Sequence, residues 1–211
     1  MSSKEFSFIG SLSIQDAIIF SKQVENCQKV LEFGCGASTQ IIAQCSNKDS
    51  LIYSVDTNQK WMDGVKEFIT NEMSINKNIS FVSFENKNSI KEKDFDLIFD
   101  DGLAKNRLDF ALWSWSKLKS NNGKLIIHDT RRPGEINLVS TIFQKYGNEI
   151  SNISVNPNHS SLTIITKKEL EPYSDWNVVE KRQSWMQSIF VDKRPENWKE
   201  IIKNKVNENY F

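Results

Sequence analysis

The chain has 211 residues, a length that suits one domain with a sizeable core and an extension, and its 38% hydrophobic share is ordinary for a globular protein. Lys plus Arg number 27 and Asp plus Glu number 27, so no global field draws the chain toward nucleic acid or anionic lipid. The opening stretch Met1–Phe20 sets charges among its apolar residues, unlike a signal peptide, and no apolar run is long enough to cross a bilayer.

Helices and strands alternate from Ser13 to about Lys168, which argues for a mostly parallel sheet with helices on both faces. The spacing predicts a first helix over Ile14–Glu25, with Ile14, Ala17, Ile18 and Val24 facing inward. A strand over Lys29–Phe33 runs into Gly34-Cys35-Gly36, and a helix follows from about Ser38. A second strand, Leu51–Val55, ends at Asp56, and the next helix carries Trp61, Val65, Phe68 and Ile69 in one stripe. Ile79–Phe84 reads as a third strand, and the charged stretch Lys87–Lys93 leaves the usual helix after it short or missing. The fourth strand, Phe95–Phe99, ends in Asp100-Asp101-Gly102. Its helix aligns Leu108, Ala111, Leu112, Trp115 and Leu118, and Asn121-Asn122-Gly123 stops it. The fifth strand, Lys124–Ile127, ends in His128-Asp129-Thr130, with a helix to follow over Ile136–Tyr146. Two last strands, Ile150–Val155 and Leu162–Thr166, are joined so briefly that they must form an antiparallel hairpin. This divides the chain into a domain over 1–168 and a tail over 169–211. The tail holds Trp176, Trp185 and Trp198, and it reads as packed on the domain, covering the site, or joining a homodimer contact. Cys27, Cys35 and Cys45 are an odd number without paired metal spacing, and read as free thiols in a reducing cytoplasm.

The sharpest motif is Glu32-Phe33-Gly34-Cys35-Gly36-Ala37-Ser38-Thr39, an apolar strand feeding a glycine turn and a helix. Glycines let the backbone turn tightly and approach a ligand, and the helix start offers free N–H groups to an anion. Asp56, 20 residues after Gly36, is placed to accept both hydroxyls of a ribose. A plain tight turn and an Asp helix cap are the structural alternatives. A nicotinamide dinucleotide site shares the glycines and the acid, but its third glycine is replaced by Thr39.

In that order, Glu32, Gly34, Gly36 and Ser38, then Asp56, then Phe95–Gly102, then Gly123–Asp129, the chain resembles the class I S-adenosylmethionine (SAM)-dependent methyltransferases. The resemblance covers about Ile14–Lys168 and implies a Rossmann-like, doubly wound α/β sheet of seven strands with a C-terminal antiparallel hairpin. It implies SAM as cofactor. Gly34 and Gly36 would touch the methionine part, Glu32 would hold its ammonium directly or through water, and Asp56 would bind the ribose. Residues from Asn86 to Ser89 would lie near the adenine, and Asp101 would face the methyl-transfer region. Asp100-Asp101-Gly102 stands where amino-group methyltransferases carry an Asn/Asp-Pro-Pro-Tyr/Phe signature, which disfavours adenine N-methylation in nucleic acid and is similar to the small-molecule O-methyltransferase branch.

In the catechol-type enzymes of that branch a divalent metal such as Mg2+ is held after strands 4 and 5. The resemblance puts its ligands at Asp100, Asp129 and Thr130, with Thr130 in place of an Asn. The same acids can instead cap helices, pair with Arg131 or Arg132, or orient substrate. His128 reads as a general base or as a hydrogen-bonded residue orienting its loop. His159 reads as a solvated turn residue. Arg131-Arg132 suits an acidic substrate group or plain solvent, and the Trp113/Trp115 pair suits core or substrate platform. Three readings follow: a SAM-dependent methyltransferase acting on a small molecule at oxygen, an NAD-dependent oxidoreductase or epimerase, and a non-catalytic SAM-fold assembly protein. The second lacks a Tyr-x-x-x-Lys pair after strand 4.

Overall fold

The computed structural model describes residues 12–75, 77–155 and 160–168, and in it seven strands form one sheet in the order β3-β2-β1-β4-β5-β7-β6. Five strands are parallel: β1 (Lys29–Phe33), β2 (Leu51–Asp56), β3 (Ile79–Ser83), β4 (Leu97–Asp100) and β5 (Lys124–Ile127). The hairpin of β6 (Ile150–Val155) and β7 (Thr163–Lys167) is antiparallel, and β7 pairs with β5. The chain winds outward from β1 to β3 and then returns to β4 on the other side of β1. The reversal opens a crevice at the carboxyl ends of β1 and β4.

Helices cover both faces, so the central strands are apolar on both sides and alternate between two cores. One core joins Val30, Ile52, Leu97, Phe99 and Ile126 to α1 (Ile14–Val24) and α2 (Ala37–Cys45) through Phe20, Val24, Ile41 and Ile42. The other joins Leu31, Phe33, Ile98, Leu125 and Ile127 to α4 (Ala104–Trp115) and α5 (Pro133–Tyr146) through Phe110, Trp115, Leu138 and Ile142. A smaller cluster of Met62, Val65, Ile69 and Ala43 ties α3 (Gln59–Glu67) to α2.

Several boundaries differ from expectation for identifiable reasons. On α1, Ile14 is 76% and Ile18 44% exposed, and the buried side is Asp16, Ala17, Phe20 and Val24. The periodicity of the isoleucines is genuine, but Asp16 has buried hydrogen-bond partners that turn the helix. Helix α5 starts at Pro133, whose fixed φ and missing N–H suit a first helical position. Helix α4 ends at Trp115, six residues before Asn121. The stripe residue Leu108 is left exposed, while Leu118 packs from beyond the helix end. A short 3-10 helix, Phe84–Ser89, stands where the helix after β3 was expected to be short or missing. Cys27, Cys35 and Cys45 form no disulfide with one another. Among the described residues no helix is long and apolar enough to cross a membrane. His159 and the tail over 169–211 lie outside the described residues.

Candidate functional site

The loops after β1 and β4 interlock at the crevice. Asp101 N–H donates to Phe33 O (2.8 Å), which ties the loop after β4 to the end of β1, while Gly34 N–H donates to Val55 O (2.8 Å) on the β2 side. Gly34 has φ +90°, and a Cβ there would lie 2.4 Å from Asp101 O; one on Gly102 would lie 2.3 Å from the Phe33 ring. Both glycines are therefore needed for close approach. Above this joint opens a cleft of about 470 Å3, within the usual range for a small-molecule site.

One end of the cleft is the glycine loop. Gly34, Gly36 and Ser38 line it, and so does Asp56 at the tip of β2. Asp56 accepts from Cys35 N–H (3.1 Å) and Asn58 N–H (2.9 Å), so its carboxylate is aimed by the backbone of the loops after β1 and β2. It does not cap α3. Asn58 does, accepting from Trp61 N–H (3.1 Å). Trp61, which the sequence reading kept in the core stripe, lines the cleft at 40% exposure and donates from Nε1 to Cys35 O (2.7 Å). Beneath the loop lies Glu32, fully buried, whose Oε2 accepts from Thr39 Oγ1 (2.7 Å) and from Ser54 Oγ. Its Oε1 has no hydrogen-bond partner. Burial pushes the Glu32 carboxyl up to about 7, against the pull of the Ser38, Ser54 and Thr39 hydroxyls. Asn86 is exposed on the 3-10 turn and does not line the cleft.

The other end is a network of charge. Arg107, buried on α4, donates from Nε to Gly102 O (2.7 Å) and from Nη1 to His128 O (3.0 Å). Its Nη2 holds Asp101, and Glu135 of α5 lies 3.4 Å from Nη1. Asp101, His128 and Asp129 converge here, each offering an atom within 4.8 Å of the others. His128 Nδ1 sits 3.0 Å from Asp101 Oδ1, out of line for a good hydrogen bond, and Nε2 sits 3.6 Å from Asp16 Oδ2. Burial opposes charging of His128. The contact with Asp101 and the charges of Asp129 and Asp16 outweigh it and raise its pKa above the usual imidazole value. Asp129 adopts φ +59°, unusual for a non-glycine residue, and pairs with Arg132 (2.8 Å) at the rim.

The expected metal trio is not assembled. Successive strand residues face opposite sides, and of the two adjacent acids ending β4 it is Asp101 that meets the cleft. Asp100 is fully buried, both its carboxylate oxygens lack partners, and burial holds its carboxyl well above the usual range. Thr130 is occupied elsewhere, donating from Oγ1 to Ser161 O (2.8 Å) and accepting from Thr163 Oγ1 (2.9 Å). Asp101 and Asp129 are already paired with arginines, and the remaining ligand, an imidazole, is a poor one for a hard cation. These residues do not fit Mg2+.

Arg131 turns back to Ser160 O (3.0 Å) rather than into the cleft. Trp113 and Trp115 both pack on the core, Trp115 stacked on Tyr146 and Trp113 against Phe110. Sequence reading passed over Arg107, Asp16 and Glu135. Each is a charged helix residue whose burial appears only in the fold.

The chain matches no protein-family model, and no curated protein matches it. Its fold does match solved structures. An O-methyltransferase from Bacillus cereus in complex with S-adenosylhomocysteine (SAH) is 14% identical, with 75% of this chain and 83% of that one covered at a TM-score of 0.60. The SAM complex of the O-methyltransferase TomG from Streptomyces achromogenes is 10% identical, covering 75% and 82% at 0.61. An SAH-bound methyltransferase from Podospora anserina is 16% identical, covering 76% and 80% at 0.62. The fold is thus that of the class I SAM-dependent methyltransferases, a Rossmann-like α/β sheet closed by an antiparallel hairpin.

Proposed function

We propose that the chain is a SAM-dependent methyltransferase that transfers a methyl group to a small-molecule acceptor at oxygen. The observation that carries this reading is the cleft at the strand switch point. It has a glycine turn and an aimed carboxylate, Asp56, at one end and a titratable pair, Asp101 and His128, at the other. The solved O-methyltransferases of the same fold, crystallised with SAM or SAH, support it.

In this reading Gly34, Gly36 and Ser38 receive the methionine part of SAM, and Asp56 accepts the ribose hydroxyls with lone pairs left over from its two backbone bonds. Glu32 Oε1, a buried acceptor with no partner, fits an ammonium group reached through a bridging water. Trp61 takes the place expected of Asn86 as the wall beyond the ribose. The sulfonium methyl then faces Asp101 and His128. The acceptor oxygen attacks the methyl carbon in line, the S–CH3 bond breaks with its electron pair going to sulfur, and the hydroxyl proton passes to the Asp101–His128 pair. Arg107 keeps Asp101 in place.

The test is calorimetric titration of the purified chain with SAH, with NAD alongside. Saturable SAH binding, weakened roughly tenfold to a hundredfold by Asp56→Ala through the loss of charge-assisted hydrogen bonds, is expected. A folded, ligand-free chain that ignores SAH would overturn the reading, and an NAD signal would put an oxidoreductase in its place.

A further inference from the structure

Asp16 lies on α1, outside every motif, yet it is 97% buried and holds more partners than any acid lining the cleft. Ser13 Oγ (2.7 Å) and Ser161 Oγ (2.8 Å) donate to Oδ2; Ser161 N–H (3.0 Å) and Ser160 Oγ donate to Oδ1. These bonds belong to two elements far apart in sequence, the start of α1 and the chain leading into β7. The Ser160–Ser161 segment in turn carries the loop after β5. Ser161 O accepts from Thr130 N–H (2.9 Å) and Thr130 Oγ1 (2.8 Å), and Ser160 O accepts from Arg131 Nη2 (3.0 Å). The same carboxylate also faces His128 Nε2 at 3.6 Å, on the side of the ring opposite Asp101.

A helix cap needs one hydroxyl and one backbone N–H, which the Ser13–Asp16 pair already supplies. Burying a carboxylate with three further donors from a different part of the chain is more than capping requires. We propose that Asp16 is a positioning residue, which sets the reacting side of the cleft by clamping the His128 ring from behind and holding the Ser160–Ser161 segment that carries residues 128–132. It touches neither end of the cofactor half, so its effect is confined to the acceptor half. The name given to that half rests on the methyltransferase reading; the clamp itself does not.

His128 is surrounded by Asp16 from α1, Asp101 from the loop after β4, Asp129 and Arg132 from its own loop, and Arg107 from α4, which is paired with Glu135 of α5. Among the described charged groups, Asp16 is the one that faces Nε2, on the side of the ring opposite Asp101. Asp16→Asn keeps the size of the side chain but removes its charge and one acceptor oxygen.

The chain contains only two histidines, so the imidazole signals of His128 can be assigned by comparison with a His159→Gln variant. In heteronuclear NMR at one fixed pH, Asp16→Asn is expected to shift or broaden the His128 ring signals. Amide exchange at Thr130 and Lys167 reads the two candidate effects apart. Exchange at Thr130 is expected to speed up roughly tenfold or more on loss of charge-assisted bonds, while Lys167, paired with Gly123 O, stays protected. Ser161→Ala, a milder change that removes one donor, should move the same signals less, and it serves if Asp16→Asn does not fold. Ser13→Ala removes the capping hydroxyl but no contact to the Ser160–Ser161 segment, and should leave Thr130 exchange in place. A folded Asp16→Asn or Ser161→Ala chain with unchanged ring signals and unchanged Thr130 exchange would reduce Asp16 to a structural cap and overturn the proposal. Calorimetry on the same samples separates the two ideas. SAH binding that survives Asp16→Asn is expected, and absence of SAH binding in the parent would sink the methyltransferase reading while the NMR result still decides the clamp.

Discussion

The two ends of the cleft are built on different principles. The cofactor half, after β1 and β2, is made of backbone. A glycine at φ +90°, N–H groups from Cys35 and Asn58 and a helix start do the positioning, and only Glu32 and Asp56 bring charge. The acceptor half, after β4 and β5, is made of side-chain charge. Arg107 binds Asp101, the His128 carbonyl and Glu135 at once, and Asp16 answers from the far side of the ring. Backbone positioning needs a few small residues in a row. Charge positioning needs partners from α1, α4, α5 and the β7 approach, all held by the fold.

The largest expected effect tests the charged half directly. Arg107→Met removes the guanidinium, leaves Glu135 unpaired and Asp101 with His128 alone, at a cost of about 3–5 kcal/mol, since breaking a buried ion network strands its acids. Urea denaturation measures it. A variant as stable as the parent would mean the acceptor half is held by packing, and the contrast between the halves would collapse. Gly34→Ala tests the backbone half. The left-handed conformation and a Cβ 2.4 Å from Asp101 O together imply a loss of about 2–4 kcal/mol, with SAH binding weakened as the loops are forced apart. Retained affinity in this variant would show that the close approach of the loops does not shape the cofactor half.

Next in size is a change of sign. Asp100 is buried without partners, and its carboxyl is held above the ordinary 3.8. The folded chain therefore keeps a proton there that the unfolded chain releases. Stability is fully present below about pH 3.8 and falls as pH rises toward the folded value, by up to about 1.4 kcal/mol per pH unit. Asp100→Asn should remove that slope and leave the chain no less stable at pH 7. An unchanged slope in thermal melts across pH 4–7 would mean that Asp100 is ionised and paired.

These contrasts explain what was legible from sequence. Strands β1 and β5 fall where the apolar runs end in Gly34 and His128, because both faces of each are buried and the run has sharp edges. The cofactor half was legible because its parts are contiguous, Glu32 to Thr39, or one strand away, Asp56. The acceptor half was legible only in its loop residues, Asp101, His128 and Asp129. Nothing in Phe99-Asp100-Asp101-Gly102 says which acid faces out; that depends on where the strand ends. Asp16 and Arg107 looked like the solvated side of their helices, because their partners, Ser160–Ser161 and Glu135, are brought to them only by the hairpin and by the packing of α4 on α5.

Glu32 gives the smallest effect and the finest test of the cofactor half. It is the one charge buried beneath the backbone cradle, and burial has brought its carboxyl to about 7. A cation bound above it favours the ionised form, so the bound state must have the lower value. SAH affinity should then rise with pH, by up to about tenfold per unit below 7, and level off above it. At pH 6 each binding event should release up to one proton, measurable as a buffer-dependent heat in calorimetry. Glu32→Gln should bind more weakly and lose the pH dependence over this window, which separates Glu32 from the titration of His128 at the other end. If the Gln variant keeps the parent's pH profile, Glu32 only holds Thr39 and Ser54 in place, and the cofactor half is backbone alone.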